Sequence, residues 1–453
     1  MGERNAGFSA PGALAAILAL VCVVAGLLSG RPETAALAAP FAFLVVAGRA
    51  AVRREPRDAA PRPPVLVRPD TAASTNSSHL RLLLVADPTA EEGRGLTTTV
   101  LAAPGSSARG LVLRRDEECP VLVDAPLSGE AEVLVHTSAS LRPELSHLSP
   151  FVQAPPLRIS ILPSTGGGLP QPVAARLRGI TGNHASRRPG DGGELRTIAP
   201  LQAGDRLQRI DWRATARRSA DQDRLMVRRS YADADASVFL VLDEAQDLPA
   251  STGEWFARGR SGAHDSSLHR ARVAAATIAA SYLAGGDRVG LDDLSGARRS
   301  VRSAAGRRHL EQLRARLAAT SAAPRRRRRR DPVPPPGSFV VLFSAFLDDE
   351  PGRLLSLWHS QGHLVAGVDC APELQRTEST RAQTSAVRLT LLRRRLRLED
   401  LQGAGIPVLA ATSTDDTAGS SPDSSAPTAL LGLEAGLRVL SRRRHRSSGG
   451  RTR

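Results

Sequence analysis

The sequence predicts an α/β protein in which a doubly wound parallel sheet follows a two-helix membrane hairpin and a small β-sandwich. Three observations predict it. Apolar strands alternate with helical runs over residues 236–412, the order that builds a parallel sheet with helices on both faces. Short β-type runs bounded by Gly, Pro, Ser or Asp fill residues 79–163, the pattern of a sandwich. Residues 1–55 hold two uncharged stretches near the length a bilayer requires, roughly 20 residues for a helix.

The first stretch carries no charge between Asn5 and Gly30, and Ala13 to Leu28 is apolar or small throughout. Arg31 and Glu33 mark a short loop, and Thr34 to Gly48 is again uncharged; Arg49 can snorkel and let the span reach Val52. Arg49, Arg53, Arg54 and Arg57 follow the second span, whereas the loop between spans carries one Arg and one Glu. The positive-inside bias therefore predicts a multi-pass cell-membrane protein with its large C-terminal region cytoplasmic. A cleaved signal peptide processed at Ala36-Leu37-Ala38 fits less well, because Arg31 and Glu33 interrupt it and only Arg4 leads it.

Residues 56–78 are rich in Pro, Ser, Thr and Asn and read as a linker. The β-type runs of residues 79–163 include LRLLLVAD, GLTTTVLAA, CPVLVDA and LRISILP, and they gather no nucleophile or ligand set. Residues 164–235 form a segment of their own. Its first part, Ser164 to Gly193, is loop-like, and its RRPGDGG run lacks the preceding strand and following helix that phosphate cradling needs. Its second part, Glu194 to Arg217, reads ELRTIAPLQAGDRLQRIDWRATAR. It sets Arg196, Arg206, Arg209, Arg213 and Arg217 around Asp205 and Asp211, beside Trp212. Guanidinium forks pair with carboxylates and stack on indole, so the segment suits a buried ion-pair cluster or a surface that docks a partner. The plainer alternative is a turn at Gly204-Asp205 that leads into a helix as scaffold.

The run GDRLQRIDWRATAR, followed by LMVRRSYADADASVFLVLDEAQD, resembles the signature of the family catalogued as domain of unknown function fifty-eight. Members are typically membrane-anchored bacterial proteins encoded beside MoxR-type AAA+ ATPases. A β-rich domain precedes the signature and a von Willebrand factor A-like domain follows it. The resemblance implies that residues 236–412 are such a domain and that the partner is a MoxR-type AAA+ ATPase. Related A domains hold Mg²⁺ with a D-x-S-x-S motif, a Thr and a later Asp, all hard oxygen donors. Here that motif aligns on Asp243-Glu244-Ala245-Gln246-Asp247, and Ser344-Ala345 stands where Ser-Asp is expected. The Thr has no counterpart. Asp243 and Asp247, helped by Asp348, make a degenerate site with too few oxygens, so no cofactor is expected; Asp243 then caps a strand end or belongs to a metal-independent docking edge.

Within residues 236–412 the predicted strands are 237–242, 288–294, 339–343, 364–368 and 406–410. The predicted helices are 268–283, 307–319, 351–360 and 385–402. Residues 413–453 form a basic tail. Ser413 to Pro427 has a disordered composition, and Thr428 to Leu440 shows helical spacing before an RRRHR cluster, either an amphipathic helix on the membrane or a solvated tail.

Composition narrows the function. All 61 basic residues of the 453 are Arg, with no Lys, which excludes a Walker A motif and points to GC-biased coding rather than to selection for nucleic acid. Part of the net charge of +16 sits in Arg325 to Arg330, a solvated block that suits anionic lipid or nucleic acid. An aromatic content of 3% leaves few platforms for stacking bases, so no specific nucleic acid is expected. Cys22, Cys119 and Cys370 offer neither a disulfide framework nor a zinc site. No nucleophile elbow occurs, and His359 and His363 lack the Glu of a zinc-protease motif. The expected function is a non-enzymatic, membrane-anchored adaptor or scaffold that contacts membrane lipid and a MoxR-type ATPase. A basic protein binding nucleic acid or anionic lipid, and a hydrolase, are the alternatives.

Overall fold

The computed structural model describes residues 10–53, 64–70, 79–86, 96–102, 107–114, 117–124, 127–141, 149, 151–173, 184–218, 224–256, 265–296, 298–323, 331–375, 377, 380–411 and 430–448. The Arg325 to Arg330 run and the Ser413 to Pro427 stretch lie outside these residues. The chain divides into two units, one drawn mainly from residues 1–126 and 131–159, the other from residue 160 onward with residues 127–130.

The first unit begins with helices α1 (Ala10–Ser29), α2 (Pro32–Ala36) and α3 (Ala39–Arg53). Within α1, Gly12–Ser29 is long and apolar enough to cross a membrane, by length and composition. The second apolar stretch, Pro32–Ala47, is shorter and is shared between α2 and the start of α3. Gly26 lets α2 lie directly on α1, since a Cβ there would come within 2.6 Å of Ala35 Cβ.

Strands β1 (Val65–Pro69), β2 (His79–Ala86) and β5 (Glu118–Asp124) form one antiparallel sheet. Strands β3 (Leu96–Ala102), β4 (Arg109–Arg114), β6 (Gly129–Leu141) and β7 (Val152–Gln153) form another, with β8 (Leu157–Ile161) paired to β6. Leu82, Leu84, Val123, Leu101, Leu113 and Val133 from the two sheets make a single apolar core. Strand β1 falls inside the stretch read as a linker. Prolines and polar residues flank its VLVRP sequence and mask the alternation, yet Val65 is fully buried and the strand pairs antiparallel with β2.

The second unit opens with a long hairpin of β9 (His184–Pro200) and β10 (Met226–Ala234), with α4 (Trp212–Arg218) between its strands. The RRPGDGG run expected as a loop is strand. Its glycines are the reason. A Cβ on Gly190 would lie 2.3 Å from Ala232 Cβ, and one on Gly192 equally near Asp233 Oδ1, where the register of β10 shifts. Glycine inside a strand marks such bulged, close approaches of two backbones.

The main sheet contains β11 (Ser237–Leu242), β12 (Arg288–Asp293), β13 (Val301–Ala304), β14 (Phe339–Ser344), β15 (Leu364–Asp369) and β16 (Val408–Ala410), in the order β13-β12-β11-β14-β15-β16. Every neighbouring pair is parallel except the edge strand β13 on β12. Helices α5 (Ser267–Ala284) and α6 (Arg307–Ala318) pack into the core on one face, while α7 (Glu350–Ser360) and the end of α8 (Arg381–Gly403) pack into the core on the other. Continuous apolar strands such as SVFLVL and FVVLF are what a sheet covered on both faces requires. Helix α5 is small and apolar almost all round and is buried along nearly its whole length, as expected of a helix covered on all sides.

Helix α9 (Leu431–Ser448) corrects the reading of the tail. Leu430, Leu433 and Leu437 are buried in the core that α5 and the sheet share, so this helix spends its apolar stripe on the protein rather than on lipid or solvent. Gly436 allows the approach, because a Cβ there would lie 2.4 Å from Leu409 Cδ2. Leu433→Ala should therefore destabilise the detergent-solubilised full-length protein by ~2–5 kcal/mol in urea titration, the cost of a core cavity. A helix lying on membrane or free in solvent would show no such loss.

Candidate functional site

Strand order reverses between β11 and β14, and in open α/β sheets the carboxyl ends of strands leave a crevice at such a point. Asp243 follows β11 and Ser344 ends β14. Ser344 Oγ donates to Asp243 Oδ2 at 2.6 Å and accepts from the Phe346 amide at 2.9 Å. Buried Phe346 takes φ 54°, a left-handed conformation that bulky residues rarely adopt. Asp243 Oδ1 accepts the Ala245 amide at 3.2 Å, so this carboxylate ties together the ends of two strands.

Asp247 and Asp348, the other carboxylates of the degenerate site, serve different ends. Asp247 Oδ1 accepts the Leu268 amide at 3.0 Å, at the start of α5, and Asp348 Oδ1 accepts the Glu350 amide at 3.1 Å, at the start of α7. The first amides of a helix lack intrahelical partners and favour negative charge, so each aspartate satisfies an amide at a helix start, beside the cap residues Ser266 and Asp349. Among the described residues no three His, Cys, Asp or Glu side chains are grouped to hold a metal ion. The Mg²⁺ donor set implied by the family resemblance does not fit these residues. A guanidinium lies at the strand ends instead: Arg394 of α8 pairs with Asp369, at the end of β15, and donates Nε to the Ala345 carbonyl at 2.8 Å.

The same edge buries a charge cluster that sequence reading missed. Glu244, next to Asp243, is only 2% exposed, and Asp293, which ends β12, is as deeply buried. Ser295 Oγ lies 2.7 Å from Asp293 Oδ1 and 3.3 Å from Glu244 Oε2, and its one hydrogen serves the nearer. The Gly296 amide donates to Asp293 Oδ1 at 2.7 Å, and Arg316 of α6 reaches Asp293 Oδ2 at 2.5 Å. Glu244 Oε1 is buried with no hydrogen-bond partner. Burial, and then the charge of Asp293, push the Glu244 carboxyl up to about 7, with Arg316 opposing. The available signal was positional: Glu244 and Asp293 both stand at the carboxyl ends of apolar strands. Nearby Cys370 is buried, and burial pushes its thiol up, away from the reactive thiolate.

In the signature segment the structure regroups the expected pairs. Arg206 and Arg209 both pair with Asp191 of β9, at 3.0 and 3.1 Å, and Arg209 also donates to the Asp191 carbonyl at 2.9 Å. Asp205 accepts the Gln202 amide and pairs with Arg229 of β10, both at 2.9 Å; that amide bond first, and Arg229 second, hold its carboxyl below the usual range. Asp211 begins α4, its Oδ1 accepting the Ala214 amide at 2.9 Å, while Arg228 Nε stands 4.0 Å from Oδ2. The Asp211 amide donates to the Met226 carbonyl at 2.8 Å and the Thr215 hydroxyl accepts from the Met226 amide at 2.9 Å, which locks α4 to β10. Asp191 and Arg229 are thus the anchors the sequence did not single out, because the β9–β10 hairpin brings them beside the segment; Arg229 reaches Asp205 and Gln202 from 24 and 27 residues away.

The cluster lies at the surface. Arg196 is exposed on β9, Arg213 and Arg217 are exposed on α4, Trp212 is 68% exposed, and Leu207, in the turn before α4, is 70% exposed. A buried ion-pair cluster is therefore not what these residues form.

Glu244 makes a measurable prediction. Its carboxyl moves from an ordinary 4.5 up to about 7 on folding, so in that window the folded chain holds a proton that the unfolded chain has lost, and stability falls as pH rises through it. Glu244→Gln should remove about 1–3 kcal/mol of stability loss between roughly pH 5 and 8. Denaturant midpoints taken across that range check it, and an unchanged slope in the variant would refute it.

Comparison with known proteins agrees with the signature. The family model described as "Protein of unknown function DUF58" matches residues 198–373, which runs from the end of β9 to just beyond β15. No curated protein matches the chain.

Proposed function

We propose that this chain, which belongs to the DUF58 family through its residues 198–373, is a membrane-anchored, non-enzymatic adaptor that presents a docking surface to a MoxR-type AAA+ ATPase. Helix α1 and the apolar stretch shared by α2 and α3 act as a two-span anchor, with the rest of the chain cytoplasmic. The antiparallel sheets of the first unit serve as a spacer, and the main sheet is a von Willebrand factor A-like domain used for binding without metal. The ATPase supplies the energy for assembling or remodelling a client complex.

The observation that carries this reading is the exposure of Trp212 and Leu207 on a segment that backbone bonds and surface ion pairs hold rigidly. Exposing a large indole and a leucine to water has no benefit to folding. Such side chains, on a segment that also exposes Arg206, Arg213 and Arg217, have the composition of an interface hot spot, in which Trp and Arg anchor binding. The spent carboxylates at the sheet edge support a binding role over hydrolysis, since Asp243, Asp247 and Asp348 are committed to backbone and hydroxyl partners.

The test is affinity capture of the full-length protein from detergent-solubilised host membranes. Wild type should recover an AAA+ ATPase of the MoxR type. Trp212→Ala should leave stability within about 0.5 kcal/mol, as surface substitutions do, and abolish the recovery. An unfolded Trp212→Ala variant would make the residue scaffold, and undiminished recovery would remove this surface from the interaction.

A further inference from the structure

We propose that the outer face of α8, with the threonines opposite it, is a groove that docks an acidic, leucine-bearing amphipathic helix of a partner protein. This surface is separate from the signature segment, and α8 lies beyond the residues that the family model matches.

Helix α8 is 23 residues long, yet Leu401 is its one buried residue. Its start is fixed locally by a capping box, in which Thr380 accepts the Gln383 amide and Gln383 returns a bond to the Thr380 amide. Leu389, Leu392 and Leu396, at helical spacing, are 48%, 52% and 51% exposed. A helix of a folded protein normally buries such a stripe.

Charge on the helix is one-sided. From Arg381 to Leu398 it carries six arginines, Arg381, Arg388, Arg393, Arg394, Arg395 and Arg397, and no acid before Glu399. Arg394 and Arg397 turn inward, to Asp369 and the Ala345 carbonyl and to Asp349 and the Leu347 carbonyl. Arg388 and Arg395, seven residues apart, face outward with Leu391 and Leu392 into a groove of about 850 Å³. Thr252 and Thr377 form its other wall, tied together by the Thr377 amide on Thr252 Oγ1 at 3.2 Å and by the Ser251–Thr377 hydroxyl contact at 2.9 Å.

The chemistry of the occupant follows. Leucines on the floor call for an apolar helical face, and exposed guanidinium groups along the rim call for carboxylates beside it. A wall on the far side favours a rod of helical width over the flat surface of a bilayer. The lack of aromatic side chains among the lining residues disfavours single-stranded nucleic acid.

A helix-constrained peptide display library, selected against the full-length protein in detergent, tests this. Selected peptides should carry a leucine stripe flanked by Asp or Glu, and Arg388→Glu/Arg395→Glu should weaken their binding about tenfold or more while thermal unfolding stays unchanged. Leu392→Asp should do the same. Enrichment of basic or non-helical peptides, or binding indifferent to these variants, would overturn the proposal. So would phosphatidylglycerol vesicles that bind through the same residues when no peptide does, which would make the face a lipid surface. Self-association abolished by the same variants would assign the groove to a second copy of the chain and overturn it as well.

Discussion

The parallel pairing of β11 with β14 is the constraint on which the second unit depends. Both strands are covered on both faces, so each residue from Val238 to Leu242 and from Phe339 to Ser344 is buried. Their side chains alternate between two cores, one shared with α5 and the other with α7. Once this register is set, the carboxyl ends of the strands must meet at one level. That is why Asp243 finds Ser344 although 101 residues separate them.

Burial at that level has an electrostatic consequence. Polar groups at strand ends lose water as the flanking helices close over them, and each must find a partner or change its charge. Asp243, Asp293 and Asp369 find hydroxyl, amide or guanidinium partners. Glu244 has an incomplete set and responds through its affinity for a proton. Asp247 and Asp348 go to amides at helix starts, which stabilises helices at the expense of convergence on an ion.

What this fold leaves unspent lies on its outside. The β9–β10 hairpin holds Trp212 and Leu207 in solvent, and α8 holds a leucine stripe and exposed guanidinium groups along a groove. Both features combine apolar area with arginine on a rigid support, the combination that lowers the entropy cost of association. They sit on separate elements, and α8 is the one outside the residues that the family model matches.

Local pattern was enough to place every strand of the main sheet except the short edge strand β13, which pairs antiparallel with β12. Unbroken apolar runs, a small-residue helix and turn residues between them need no tertiary information to read, and the predicted strands and helices there fall within a few residues of those observed. The membrane-length apolar helix at the start was legible for the same reason, as was the family of the signature segment. Tertiary structure decided what depends on partners distant in sequence. Strand β1 was hidden by its prolines, and the glycine-rich run became strand only because β10 bulges beside it. Helix α9 shows its function only through the core it covers. Which carboxylate meets which arginine was set by strand register, so Asp205 pairs with Arg229, and Arg206 and Arg209 with Asp191, rather than with neighbours in the motif. Local pattern encodes which face of an element is apolar; the identity of what covers that face is a property of the folded chain.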